Sequence, residues 1–303
     1  MERTLERSSQ ALLEARQVPE EHGGRERGPD PAHPLERIRG LSNQVRLVLL
    51  EMIHRAGSGH IGSSLSCADI VSVLKFDQMD WHADRPRADS DVFVLSKGHA
   101  VPAWYAALVV DGDLDPGHVG TLRTLDSPLQ GHPDRRRLDL VDVSTGALGQ
   151  GLSISLGRAQ AKRLKEQDSH VYCVVGDGEV QEGQIWEAVM YAGVRQISNV
   201  VVFVDYNRSQ SDGLLDEVMP IHPLGDKFRS FLWHVQEIDG HSHPAIRDAV
   251  VNARRHTSQP SVIIAHTRKG HLGEGRVLLN GSHGGSLSED EFDEAVGYLR
   301  AAM

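Results

Sequence analysis

Cysteine and long apolar runs are scarce in this chain of 303 residues, and its 32 Lys and Arg are outnumbered by 42 Asp and Glu. Its two cysteines, Cys67 and Cys173, lie far apart with no CxxC pattern, so both read as small buried hydrophobes, and a reducing cytoplasm fits. The formal net charge of −10 argues against non-specific binding of nucleic acid. No apolar run approaches the roughly 20 residues needed to cross a membrane, and the charged N-terminus lacks the apolar stretch of a secretory signal. No GxGxxG follows the first expected strand, which argues against a nicotinamide-binding domain. No internal repeat is present.

What the chain does have is enough material for one large α/β domain or two small ones, with 39% hydrophobic residues to build a core. Residues 1–34 are rich in Glu, Arg, Gly and Pro and read as a mobile tail, with a short helix possible over 5–16. The folded domain is expected over 35–303. It opens on an amphipathic helix from Leu35 that stops at Gly57-Ser-Gly-His60-Ile-Gly62, followed by a second helix over 66–76. A strand over 91–95 leads into Ser96-Lys-Gly-His99 and a helix with Trp104 and Tyr105. Residues 111–140 are turn-rich and contain Gly131-His132-Pro133-Asp134; Ser144-Thr-Gly-Ala-Leu-Gly-Gln-Gly151 then runs into an apolar helix over 152–165. A turn at 211–213, a helix over 224–232, a strand over 234–238, a helix over 244–255 and a last strand over 261–267 follow. A Gly-rich segment over 270–286 carries His283, and Ser288-Glu-Asp-Glu caps a final helix. Strands alternating with helices predict an α/β fold with a doubly wound, mainly parallel sheet.

The chain is organised around Val171-Tyr-Cys-Val-Val-Gly-Asp-Gly178 and Val200-Val-Val-Phe-Val-Asp-Tyr-Asn207. Each begins as a short run apolar on both faces, the pattern of a buried parallel strand. Each ends on acidic or amide residues, where parallel sheets place their ligands. Gly176 and Gly178 bracket Asp177, so backbone can approach an anion there. The helix expected from Glu182 would turn its N-terminus toward the same spot and favour a phosphate. Asp177 offers one charged oxygen, the Asn207 amide a neutral one, and a carbonyl just after it a third. Such a set suits Mg2+ or another hard divalent cation, with a diphosphate completing its shell.

Gly-Asp-Gly, then 28 residues, then Asn resembles the thiamine diphosphate–magnesium motif. Four of the 17 histidines sit beside glycine in loops that can aim an imidazole into a cleft: His60, His99, His132 and His283. With the Thr-Gly-x-Leu-Gly-Gln-Gly loop and the phrases from Asp212 and Asp239-Gly-His241, they occur in the order found in transketolase, over residues 35–290. The resemblance implies a pyrophosphate-domain fold and the following roles. Asp177, Asn207 and the Ser209 carbonyl would hold magnesium. Gly178, Asn207, His99 and His283 would meet the diphosphate, and Gly146, Ala147 and Leu148 the thiamine rings. His60, His132 and His283 would bind sugar hydroxyls and move protons. Ile61 and Ala147 stand where the family usually has Pro, which touches substrate preference more than cofactor binding.

A complete transketolase is about twice as long, and its second domain supplies the Glu that activates the cofactor. The resemblance therefore implies the N-terminal subunit of a split, two-component transketolase. It would carry a two-carbon ketol unit from a ketose, or ketose phosphate, to an aldehyde. Its partner would be a C-terminal subunit bearing the pyrimidine-binding Glu, in a heterotetramer of two copies of each, with neither nucleic acid nor membrane as a partner. Two alternatives stand beside it: half of another thiamine diphosphate enzyme, of the 2-oxoacid dehydrogenase or deoxyxylulose phosphate synthase kind, or a non-catalytic binding subunit.

Overall fold

The computed structural model describes residues 34–84, 90–278, 285 and 287–303. Residues 1–33 of the tail expected over 1–34, and His283, lie outside the described residues; residue 34, the last expected in the tail, instead opens the first helix.

Helix α1 (Pro34–Ala56) is followed by α2 (Ile61–Ser66) and α3 (Ala68–Val73), then by β1 (Val92–Leu95) and α4 (Val101–Asp111). After the turn-rich stretch come α5 (Gln150–Leu164), β2 (Val171–Gly176), α6 (Gly183–Val194) and β3 (Val200–Tyr206). A small hairpin, β4 (Ser209–Gln210) with β5 (Gly213–Leu214), leads to α7 (Leu215–Val218) and α8 (Leu224–Ser230). Then follow β6 (His234–Asp239), α9 (His243–Arg255), β7 (Ser261–His266), a second hairpin of β8 (His271–Gly273) and β9 (Arg276–Val277), and α10 (Glu289–Ala301).

The five long strands form one sheet, ordered β1-β2-β3-β7-β6, with every neighbouring pair parallel. Alternation along each strand splits its residues between two layers. Phe93, Val174, Phe203 and Ile263 pack under α1 to α4, α9 and α10. Val94, Cys173, Val202 and Ile264 pack under α5, α6 and α8. Helices therefore cover both faces, as the β-branched runs require. The two cysteines are buried and free, as expected.

Register positions the site. Gly176 pairs with Asp205, and Tyr206 with His266, so the chain leaves β2, β3 and β7 along one edge. Leu95 pairs with Val174, bringing Ser96 to the same edge. The α4 helix is so thoroughly apolar that it runs buried through the core, ending on Gly112 at φ 77°, a left-handed cap. Ser288 and Glu291 form the expected capping box at α10.

Two expectations need correction. The helix predicted over 66–76 begins earlier, at Ile61, and breaks at Cys67. Gly62 and the serines beside it are poor helix formers, but all six residues of α2 are buried, so packing overrides propensity. β7 is not the last strand, because β8 and β9 follow it; runs of two or three residues are too short for a period to register. No described helix is long and apolar enough to cross a membrane.

Candidate active site

The expected site lies where β1, β2, β3 and β7 end. Asp177 is buried just past β2. Its Oδ1 accepts from the Gly178 N–H at 2.8 Å, and its Oδ2 from the Arg208 N–H at 2.5 Å. Arg208 has a positive φ of 61°, which folds the chain after β3 back toward Asp177. The Asn207 Oδ1 accepts from the Ser209 N–H at 3.1 Å. The expected ligand residues Asp177, Asn207 and Ser209 are thus joined through one short turn.

Asp205 lies fully buried beneath them and is held by its own chain. It takes Lys97 as an ion pair, Ser66 Oγ at 2.6 Å, Thr267 Oγ1 and the Asn207 amide at 3.2 Å. Burial opposes ionisation of Asp205, but Lys97 and these donors keep its pKa below the ordinary carboxylate value. Asp177 has the opposite balance. Burial and the Asp205 charge push its carboxyl up to about 7, and the two backbone donors and the more distant Lys97 do not offset them. A buried carboxylate short of positive charge, beside an amide oxygen and a bent backbone, fits a hard divalent cation.

The loops after β1 and before α5 pack closely on glycine. A Cβ on Gly98 would fall 2.8 Å from Thr145 Oγ1 and 3.0 Å from the Gly146 nitrogen. Thr145 ties them together, giving its hydroxyl to the Leu95 carbonyl at 2.6 Å and its N–H to the Pro133 carbonyl at 3.2 Å. Gly146 abuts the His132 ring, and Ala147 and Leu148 are exposed beside it. His60 faces His99 at 5.2 Å between ring centroids and His132 at 6.2 Å. Three of the four glycine-flanked histidines therefore meet. Arg123 reaches His60 Nδ1 at 3.4 Å, and partial burial together with Arg123 holds the His132 pKa below its ordinary value.

Sequence reasoning missed three contributors. Lys97 and Lys269 bring positive charge to the Asp177–Asp205 pair, the latter through Ser209 Oγ at 3.1 Å. Burial and Lys97 lower the Lys269 pKa. Glu179 lies buried beside them. Both lysines sit just beyond carboxyl ends of strands, β1 and β7, so the strand-end rule applied to every strand would have found them. The α6 helix begins only at Gly183, with a short 3-10 turn, Glu179–Gln181, between it and Gly178.

The sequence profile of the family described as transketolase, thiamine diphosphate binding domain, matches residues 39–299. The 6-deoxy-6-sulfo-D-fructose transketolase subunit SqwG of Clostridium sp. (strain MSTE9) is 41% identical over 262 residues, covering 85% of this chain and 94% of that protein. An apulose-4-phosphate transketolase subunit of Phocaeicola vulgatus is 35% identical over 266 residues, covering 86% of this chain and 93% of that protein. The crystal structure of transketolase from Campylobacter jejuni superposes with a TM-score of 0.81 at 30% identity, covering 88% of this chain and 43% of that one. The chain thus spans nearly all of two subunit-length relatives and less than half of a solved transketolase.

Proposed function

The chain belongs to the transketolase family, whose thiamine diphosphate-binding domain it carries, and we propose that it is the N-terminal subunit of a two-component transketolase. The observation that carries this reading is the likeness to two relatives named as transketolase subunits, 41% and 35% identical and covered to 94% and 93% of their lengths. A C-terminal subunit would bring the aminopyrimidine-binding half and its activating Glu, in an assembly of two copies of each chain. The substrates would be a ketose or ketose phosphate donor and an aldehyde acceptor, in the cytoplasm.

In this reading Asp177, the Asn207 amide oxygen and the Ser209 carbonyl hold a magnesium ion. Gly178, Asn207, His99 and His283 receive the diphosphate, and Lys97 and Lys269 add positive charge to that end. Gly146, Ala147 and Leu148 form the surface against the thiamine rings. When bound, thiamine diphosphate supplies the nucleophilic carbon and the electron sink for breaking and remaking a carbon–carbon bond. His60, His132 and His283 bind substrate hydroxyls and carry protons. Partial burial and then Arg123 suit His132 to that work, because both favour the neutral imidazole that accepts a proton.

Calorimetric titration of thiamine diphosphate into the chain with its partner subunit, in magnesium and then in chelator, tests the cofactor site. Binding should require the metal. Undiminished binding in chelator, or none in magnesium, would overturn it.

A further inference from the structure

We propose that Glu179 is a positioning residue that holds three cofactor-binding loops in mutual register; this rests on the thiamine diphosphate reading of the site.

Glu179 follows Gly178, yet it is only 2% exposed. Its carboxylate takes donors from three separate segments. Oε1 accepts the Ser96 hydroxyl, at the end of β1, and the Gly149 N–H at 2.8 Å. Oε2 accepts the Gly176 N–H at 3.0 Å, at the end of β2. Each segment carries a different part of the expected site. Ser96 leads to His99, Gly149 closes the loop of Gly146 to Leu148, and Gly176 precedes Asp177.

The fit is close on every side. A Cβ on Gly151 would lie 2.4 Å from Ser96 Oγ, so the first turn of α5 sits directly against the end of β1. Gly149 is left-handed at φ 82°, and a Cβ there would lie 2.8 Å from the Gln184 side chain. Gln184 adds a second tie from the same connection, donating to the Leu148 carbonyl at 2.7 Å from an outer position. Burial raises the Glu179 pKa, and the Ser96, Gly149 and Gly176 donors oppose that rise; in its ionised form a carboxylate of this size accepts from all three donors and offers none. A glutamine would set its NH2 against one of them. Burying a carboxylate is costly, so stability alone gives little reason for an acid here, whereas three-way acceptance does.

Two readouts test this on the full chain with Glu179→Gln, Glu179→Ala and Gln184→Ala. The first is hydrogen exchange without cofactor. In the Glu179 variants, amides of 146–151 and 174–178 should exchange about tenfold faster together, while helices distant from the site keep their protection. The second is thiamine diphosphate affinity with magnesium and the partner subunit. It should fall about tenfold in Glu179→Ala and less in Glu179→Gln, which keeps part of the acceptance, with Gln184→Ala smallest of the three. If Glu179→Ala does not fold, Glu179→Gln decides. Unchanged exchange at both loops in a folded Glu179 variant, with parent-like affinity, overturns the proposal. A parent chain that binds no thiamine diphosphate would count against the cofactor site itself, and the exchange readout would still judge Glu179.

Discussion

The Asp69 corner and the Asp177 site each bury a carboxylate to 2% exposure, and their surroundings differ in kind. Asp69 accepts from Arg46 Nη2 at 2.5 Å, Ser42 Oγ at 2.7 Å, His241 Nδ1 at 2.8 Å and His243 Nε2 at 2.9 Å. The Arg268 N–H donates to His241 Nε2 at 2.9 Å, which leaves Nδ1 as the donor to Asp69. Burial opposes its ionisation, but Arg46 and the two histidines hold its pKa well below the ordinary carboxylate range. Asp177 has two backbone N–H donors, a carboxylate neighbour and a pKa of about 7.

Distance alone would choose the Asp69 corner as a metal site, against the Asp177 assignment proposed above. Ligand atoms of Asp69, His241 and His271 all lie within 4.8 Å of one another. Yet the Arg46 guanidinium already supplies the cation, and both nitrogens of His241 are engaged. Among the described residues the Asp177 site shows no such cluster, because two of its three expected ligands are an amide and a carbonyl. A buried acid satisfied by its own chain belongs to the scaffold; one left short of positive charge is free to meet a ligand.

The sharpest way to break this contrast is a crossed pair of substitutions. Asp177→Ala should abolish magnesium-dependent binding of thiamine diphosphate and leave thermal stability near that of the parent. Asp69→Ala should leave cofactor affinity of the folded protein intact and cost about 3–5 kcal/mol of stability, because Arg46 is left buried and unpaired. Melting curves and calorimetry on both variants decide it. Asp177→Ala binding as well as the parent would end the ligand assignment.

A smaller effect separates substrate handling from cofactor binding. His60→Ala and His132→Ala should each keep cofactor affinity within a few-fold and lower turnover by about 10²-fold, the scale of a lost proton-transfer group. Steady-state kinetics with the partner subunit checks this, and full activity would make both histidines structural turn residues.

Legibility followed local chemistry. Four of the five long strands were readable because each is an apolar run rich in β-branched residues, while β6 is mixed and partly exposed; Asp177 and Asn207 stand at strand ends, as expected. Of the glycine-flanked histidines, His60, His99 and His132 meet as their loops suggested. The α2 helix was unreadable because Gly62 and its serines carry no helical signal and only burial makes them helical. Glu179 was hidden for another reason: a glutamate beside a ligand motif looks like surface, and the donors that bury it come from as far away as Ser96.

The smallest predicted effect belongs to the Asp69 corner. His271 stacks on His241 at 3.5 Å, and its Nδ1 meets no hydrogen-bond partner among the described residues. Burial, then His241 and Arg46, lower its pKa to about 3, from an ordinary value of 6.5. The fold therefore favours the neutral ring, while the unfolded chain takes up a proton below the ordinary value. Stability is unaffected above pH ~6.5 and falls as pH drops from there toward about 3, by on the order of 1–2 kcal/mol between pH 6.5 and 5. His170 and His234, also lowered by burial, add to the same limb. His271→Phe should flatten it, as read from denaturant midpoints across that range. An unchanged slope would show that His271 does not titrate with unfolding.

The split-subunit proposal requires that this chain hold one end of the cofactor and take the rest from another chain. The chain's likeness to two relatives named as transketolase subunits carries that proposal. The direct test is a ketol-transfer assay on the purified 33.3 kDa chain, alone and mixed with its C-terminal partner, with the mass of each sample taken by light scattering. The account predicts no transfer by the chain alone, and transfer together with the mass of a two-plus-two assembly on mixing. Robust turnover by the lone chain would contradict it.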